Sequence, residues 1–298
     1  MKPPRLLAAL LLTVLLAGCG TATAAPGAAP PPRPAPREAY AVGVRTLTVE
    51  PGSARPLPVT VWYPAAGRSV APGRFPVVLY SHGLRSVPAL HAALTTRWAA
   101  AGFVVAAPTY PNTNLRSARF DRADVRNQPA DAWRVVRHLI RLDGTPGDLL
   151  AGHLETGRVA AAGHSAGGFT TAGMFTSGHP ARLRAGVIIA AGGMAGSFAG
   201  PPAALLFVHG GADQIVPWHV GRAGYDRADW PRAFLTLPGQ GHGEYLTPDR
   251  PGFAQVLAAT TDLLRWRLYD DPAAGRRIAA GARLAGVTSF EDRLGIPH

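Results

Sequence analysis

The chain has 298 residues, 47% of them apolar and 16% charged, which excludes a disordered polypeptide and suffices for one large α/β domain behind a leader. The formal charge is +12, but the arginines are scattered and Lys2 is the only lysine, which argues against a nucleic-acid-binding surface. The single cysteine, Cys19, excludes an internal disulfide and any cysteine-ligated metal cluster.

The first 18 residues read as an export signal. Lys2 and Arg5 supply a positive start, and residues 6–16 form an apolar run too short to span a bilayer as a mature helix. The run ends in Leu16-Ala17-Gly18-Cys19, which resembles the lipobox of bacterial lipoproteins. That resemblance implies cleavage before Cys19, lipidation of its thiol and anchoring on the extracytoplasmic face of the cell membrane; plain secretion is the alternative. Residues 19–39 are rich in proline and alanine and lack a hydrophobic pattern, as expected of a solvated tether.

From residue 40 to 298 the texture is that of a folded domain. Residues 42–49 and 57–63 are β-rich and partly alternating, the pattern of two antiparallel strands. Continuous apolar runs follow at 75–80, 103–107, 158–162, 185–190, 203–209 and 233–237, each bounded by Gly or Pro. Such runs suit strands covered on both faces. Helical patterns separate several of them, at 88–101, 128–141, 167–177, 217–228 and 251–268, with a last helix near 272–284. Eight strands alternating with helices in this way predict a mostly parallel sheet with right-handed crossovers.

The chemistry concentrates at the ends of these strands. Gly163-His164-Ser165-Ala166-Gly167 places a serine between a predicted strand and a predicted helix. Small neighbours permit the sharp turn that exposes its hydroxyl beside a helix N-terminus. A nucleophilic serine needs a base, and the base needs an orienting acid; on such a turn the chain order is serine, acid, histidine. Asp213 follows the strand at 203–209, and His242 lies in a glycine-rich loop after the strand at 233–237. His219, within a helix, reads as a surface or rim residue and His298 is terminal, so both are weaker candidates for the base; Asp226, Asp229 and Glu244 read as solvated charges. Two backbone N–H donors are needed for an oxyanion. Ala166 supplies one, and the loop Ser81-His82-Gly83-Leu84 the other, with Leu84 preferred and Gly83 or Arg85 as neighbours. His82, His164 and His209 read as structural residues of turns. Tyr110, Asn112, Trp218 and Tyr245 sit near the same sheet edge and are candidates for lining a substrate pocket.

These pieces, together with Val61-Trp62-Tyr63-Pro64, Ala101-Gly102-Phe103-Val104-Val105 and His209–Pro217, resemble the α/β-hydrolase group. That group includes dienelactone-hydrolase-like, platelet-activating-factor acetylhydrolase-like, chlorophyllase-like and bacterial cutinase-like proteins. The resemblance covers residues 40 to about 290 and implies a serine hydrolase of carboxylic esters, with an eight-stranded, mostly parallel sheet and no large cap domain. Dienelactone hydrolase proper uses a cysteine, which is missing here. Cutinase-like polyester hydrolases carry larger residues where Leu84 and Ala166 stand.

The expected reaction is acyl transfer from a small-molecule or lipid ester through an acyl-enzyme, by a monomer without metal or other cofactor. A cell-envelope acyltransferase with the same triad, and a non-catalytic binding lipoprotein, are the rival readings. The connection 191–202 is short and glycine-rich, and residues 108–127 carry Arg116, Arg119, Arg122 and Arg126, so neither reads as an apolar lid.

Overall fold

The computed structural model describes Met1 and residues 34–296. The export leader, Cys19, the first part of the tether and His298 lie outside the described residues. Ten strands among the described residues form one sheet: β1 (Ala41–Val49), β2 (Leu57–Ala66), β3 (Ser69–Val70), β4 (Phe75–Ser81), β5 (Val104–Pro108), β6 (Leu154–His164), β7 (Leu183–Ile189), β8 (Ala204–Gly210), β9 (Arg232–Leu237) and β10 (Ser289–Arg293). Their spatial order is β1-β2-β5-β4-β6-β7-β8-β9-β10, with β3 against β2. The six strands from β5 to β9 in that order run parallel, while β1, β2, β3 and β10 pair antiparallel. This is an α/β-hydrolase sheet.

The apolar runs explain the parallel centre. Every residue of β4 and of β8 is buried, because both faces of the sheet are covered. Alternate side chains go to opposite cores. Val77 and Leu79 point to one shared with α2 (Gln128–Asp143), α3 (Ala166–Gly173) and α4 (Trp218–Arg227). Val78 and Tyr80 point to the other, covered by α1 (Ala92–Ala100), α5 (Phe253–Leu268) and α6 (Pro272–Ala282). Helix α2 offers Ala132, Val135, Val136 and Leu139, spaced three or four residues apart on one buried stripe. Helix α6 starts where the Asp271 carboxylate accepts from the Ala273 and Ala274 N–H groups, with Pro272 in the first turn.

Two strands exceed the eight expected. β3 is only two residues long, and β10 has the polar sequence SFEDR with no buried position, so neither carries an apolar signal. Helix α3 stops at Gly173 rather than running to 177. The Met174 and Phe175 side chains leave the helix line and enter the core, where Phe175 meets His179 and Trp230 edge-on. The connection between β7 and β8 contains no helix or strand. Residues 34–40 already lie against the folded body. The Arg265 Nη2 group donates to the Pro36 carbonyl (3.1 Å), the Tyr40 N–H donates to Ala100 O (2.8 Å), and the Tyr40 ring meets Phe75 edge-on at 5.4 Å. These contacts sit where the parallel strands begin.

The long segment between β5 and α2 is held from below by charge. Arg55 reaches Asp131 Oδ2 on α2 at 2.6 Å and Asp124 Oδ2 at 2.7 Å, and Arg134 adds a bond to Asp131 Oδ1 at 3.0 Å. Both aspartates are almost fully buried. Removing one member of a buried ion cluster strands the others, at a cost of roughly 3 kcal/mol. Asp131→Ala is therefore expected to lower the unfolding free energy in urea by that order; a midpoint and slope equal to those of the unsubstituted protein would show that the cluster contributes nothing net.

Candidate active site

Ser165 sits between β6 and α3 with φ 57° and ψ −123°, a conformation that a residue bearing a side chain adopts only under constraint. The turn is fastened at both ends. The Ser165 N–H donates to Ile189 O on the neighbouring strand (2.9 Å), and its carbonyl accepts from the Gly168 and Phe169 N–H groups. The glycines are required by contact: a Cβ at Gly163 would stand 2.2 Å from Gly167 O, and one at Gly167 would stand 1.9 Å from Ser81 O. Helix α3 thereby comes into close contact with the end of β4.

Asp213 and His242 are brought together by paired turns after β8 and β9. Gly211 N–H donates to Leu237 O (2.9 Å) and Ala212 N–H to Gln240 O (3.0 Å), so the two loops advance in step. His242 Nδ1 then lies 2.7 Å from Asp213 Oδ2. A carboxylate can only accept, so Nδ1 carries the proton and Nε2 is left as a free base. Asp213 Oδ1 accepts from the Ile215 (2.8 Å) and Val216 (2.9 Å) N–H groups. Burial pushes the Asp213 carboxyl up, but the bonds from His242, Val216 and Ile215 outweigh it and hold the group below its ordinary value. Ser165 Oγ makes no hydrogen bond among the described residues; such bonds often tighten only when substrate arrives.

Neither the Leu84 nor the Ala166 N–H has an acceptor among the described residues. The Arg85 N–H is spent on Thr113 O at 2.7 Å, which removes it as a donor. His82 is fully buried and structural. Its Nε2 accepts from the Tyr110 N–H (3.1 Å), so Nδ1 must donate to Gly83 O (2.7 Å), and burial lowers its pKa to about 4. His209 Nε2 donates to Val216 O (2.8 Å), again a turn residue. His219, Asp226 and Asp229 are exposed, and Glu244 turns back to the Gly243 N–H at 3.2 Å.

Of the four pocket candidates, Tyr110 and Tyr245 are fully buried, while Trp218 and Asn112 are partly exposed. Tyr110 is fully buried, its hydroxyl 2.8 Å from Ser81 Oγ, because the loop folds it under the β4 end. Tyr245 is also fully buried and packs into the core beneath α5. Trp218 donates from Nε1 to Thr236 Oγ1 (3.0 Å) and lines a small cavity of about 210 Å³ beside Phe290 and Glu291 of β10. Asn112 remains partly exposed, its carbonyl accepting from the Asp121 N–H. Sequence reasoning missed His91, whose Nδ1 is 2.8 Å from Tyr80 OH and Nε2 3.1 Å from Ser86 Oγ. It also missed Gln128, which joins Thr113 on the loop (2.7 Å) to Thr170 on α3 (2.5 Å). No motif marks either residue; both matter only once the chain is folded. Among the described residues no three His, Cys, Asp or Glu side chains converge as a metal would require.

A model of the family platelet-activating factor acetylhydrolase, isoform II, matches residues 42–139, a span that ends before Ser165. No curated protein matches the chain. The family match and the sheet agree on an α/β-hydrolase, and support a lipase- or esterase-type serine hydrolase in general.

Burial also lowers His91 to about 3 and His164 to about 4, so with His82 three rings stay neutral in the folded state. In the unfolded chain each would take up a proton below about pH 6.5. Stability is therefore complete above pH 6.5 and falls as pH drops toward 4, by up to about 1.4 kcal/mol per pH unit for each ring. Urea unfolding at pH 7.5, 6 and 5 should show a falling midpoint; a constant midpoint over that range would contradict neutral buried rings.

Proposed function

We propose that this protein hydrolyses carboxylic esters, with Ser165 as nucleophile, His242 as general base and Asp213 as orienting acid. The observation that carries the reading is the 2.7 Å bond between His242 Nδ1 and Asp213 Oδ2, beside a serine held on a strained turn. His242 Nε2 takes the Ser165 hydroxyl proton as Oγ bonds to the ester carbonyl carbon. The carbonyl oxygen becomes an oxyanion that accepts from the Leu84 and Ala166 N–H groups. Collapse breaks the bond to the alcohol, which leaves with the proton from His242 Nε2. Water then loses a proton to His242, attacks the acyl-enzyme and releases the acid, and the proton returns to Ser165. Asp213 stays ionised throughout and stabilises the imidazolium.

The name of the matched family speaks for short acyl groups, acetyl above all, as the first substrates to try. The lack of any helix between β7 and β8 fits an open mouth rather than one under a cap. Ser165→Ala is expected to lower turnover of a short-chain ester by at least about 10³-fold without changing the unfolding midpoint. A fluorophosphonate probe should label the unsubstituted protein at Ser165 alone. Labelling that persists in Ser165→Ala would assign the nucleophile elsewhere.

We further propose that Cys19 is the lipidated first residue of the mature protein, tethering the enzyme to the extracytoplasmic face of the membrane. The Leu16-Ala17-Gly18-Cys19 sequence supports this. One acyl chain holds a protein only marginally, whereas two give stable anchoring. Cys19→Ser should move the protein from the detergent-extracted membrane fraction to the soluble one, and an unmodified mature N-terminus by mass spectrometry would refute the anchor.

A further inference from the structure

His164 precedes the nucleophile in the chain, and its side chain touches both other parts of the site. Its Nε2 lies 2.6 Å from the backbone carbonyl of His242. A carbonyl can only accept, so Nε2 carries the proton and donates. The two imidazole rings are 4.8 Å apart, and a Cβ at Gly243 would stand 3.0 Å from His164 Nε2, so the loop bearing His242 rests directly on this ring. The Nδ1 side of His164 faces Gly83 in the loop that carries the Leu84 N–H. Behind it stands His91 at 5.7 Å, itself fixed by Tyr80 OH and Ser86 Oγ. The loop after β9 is also attached to the Asp213 turn, through the Ala212 N–H on Gln240 O and His242 Nδ1 on Asp213 Oδ2, contacts that set the acid–base distance but not the distance from base to serine.

We propose that His164 is a positioning residue. By donating to the His242 carbonyl it fixes the base-bearing loop to the strained turn, and so sets how far His242 Nε2 stands from Ser165 Oγ. His91 is its backstop. This rests on the reading of Ser165 and His242 as nucleophile and base. Because His164 and Ser165 are covalent neighbours, any shift of the turn carries the donor with it, and the base follows its nucleophile.

The test compares His164→Leu, which keeps bulk but removes the donor, with His164→Gln, whose amide N–H can reach the same carbonyl. A displacement near 1 Å at a reacting group costs about 10²-fold. Relative to the unsubstituted protein, His164→Leu should lose about 10- to 100-fold in kcat and in the rate of fluorophosphonate labelling, with KM within about twofold. His164→Gln should recover most of that loss. Failure of the unsubstituted protein to label at Ser165 would overturn the triad reading, and this proposal with it. Normal labelling of the unsubstituted protein and an equal rate in His164→Leu would overturn this proposal alone, as would a Gln variant as slow as the Leu variant. If His164→Leu does not melt cooperatively, the unbranched His164→Met takes its place under the same criteria.

Discussion

The turn at Ser165 is the constraint on which the rest of the structure depends. A residue with a side chain at φ 57° and ψ −123° costs on the order of 1–3 kcal/mol and persists only where its surroundings leave no alternative. Here the surroundings are a six-strand parallel centre buried on both faces, which fixes β6 and holds Ile189 O ready for the Ser165 N–H. The same need for close approach fixes the small residues around it. Helix α3 nearly touches the end of β4, where a Cβ on Gly167 would stand 1.9 Å from Ser81 O. The energy that holds the turn comes from apolar burial far from it; the turn returns none of that energy as stability.

Around this turn several imidazole and amide side chains are held by hydrogen bonds. His82, His91 and His164 each have a defined partner, and Gln128 bridges Thr113 and Thr170. Asp213 is the buried charge beside His242, and two backbone N–H groups, the base and the His209 ring surround it. A carboxylate in such a setting orients its partner more strongly than it could in water, because the local dielectric is low. Away from it, Arg55, Asp124, Asp131 and Arg134 form an ion cluster that clamps the long loop.

Much of this was legible in the chain. Strands buried on both faces declare themselves by unbroken apolar runs, and 75–80, 203–209 and 233–237 fall within a residue of β4, β8 and β9. The serine, aspartate and histidine follow those strands in the order the turn requires, and the Asp213–His242 contact exists as that order anticipates. The illegible parts have physical causes. β10 pairs through its backbone and carries a single apolar side chain, Phe290, among polar ones, so period and hydrophobicity are silent. Tyr110 and Tyr245 lie on the correct edge, but sequence does not tell which way a loop side chain turns, and both turn inward. His164 looked like a small-turn neighbour of the serine because its partner is a carbonyl 78 residues away.

The chain joins the folded body through Pro36 and Tyr40, beside Ala100, Phe75 and Arg265, at the edge where the parallel strands begin. Ser165, Asp213 and His242 all follow strand ends, on the opposite edge. Handling through the amino-terminal side therefore does not crowd the reaction centre. A bead, a carrier polymer or a fused reporter coupled at residues 34–36 would take hold of the domain at the edge opposite Ser165, Asp213 and His242. Immobilised in that orientation, the protein would present its serine to solution at full density, whereas coupling through the arginine-bearing loop between β5 and α2 would face the same serine toward the support.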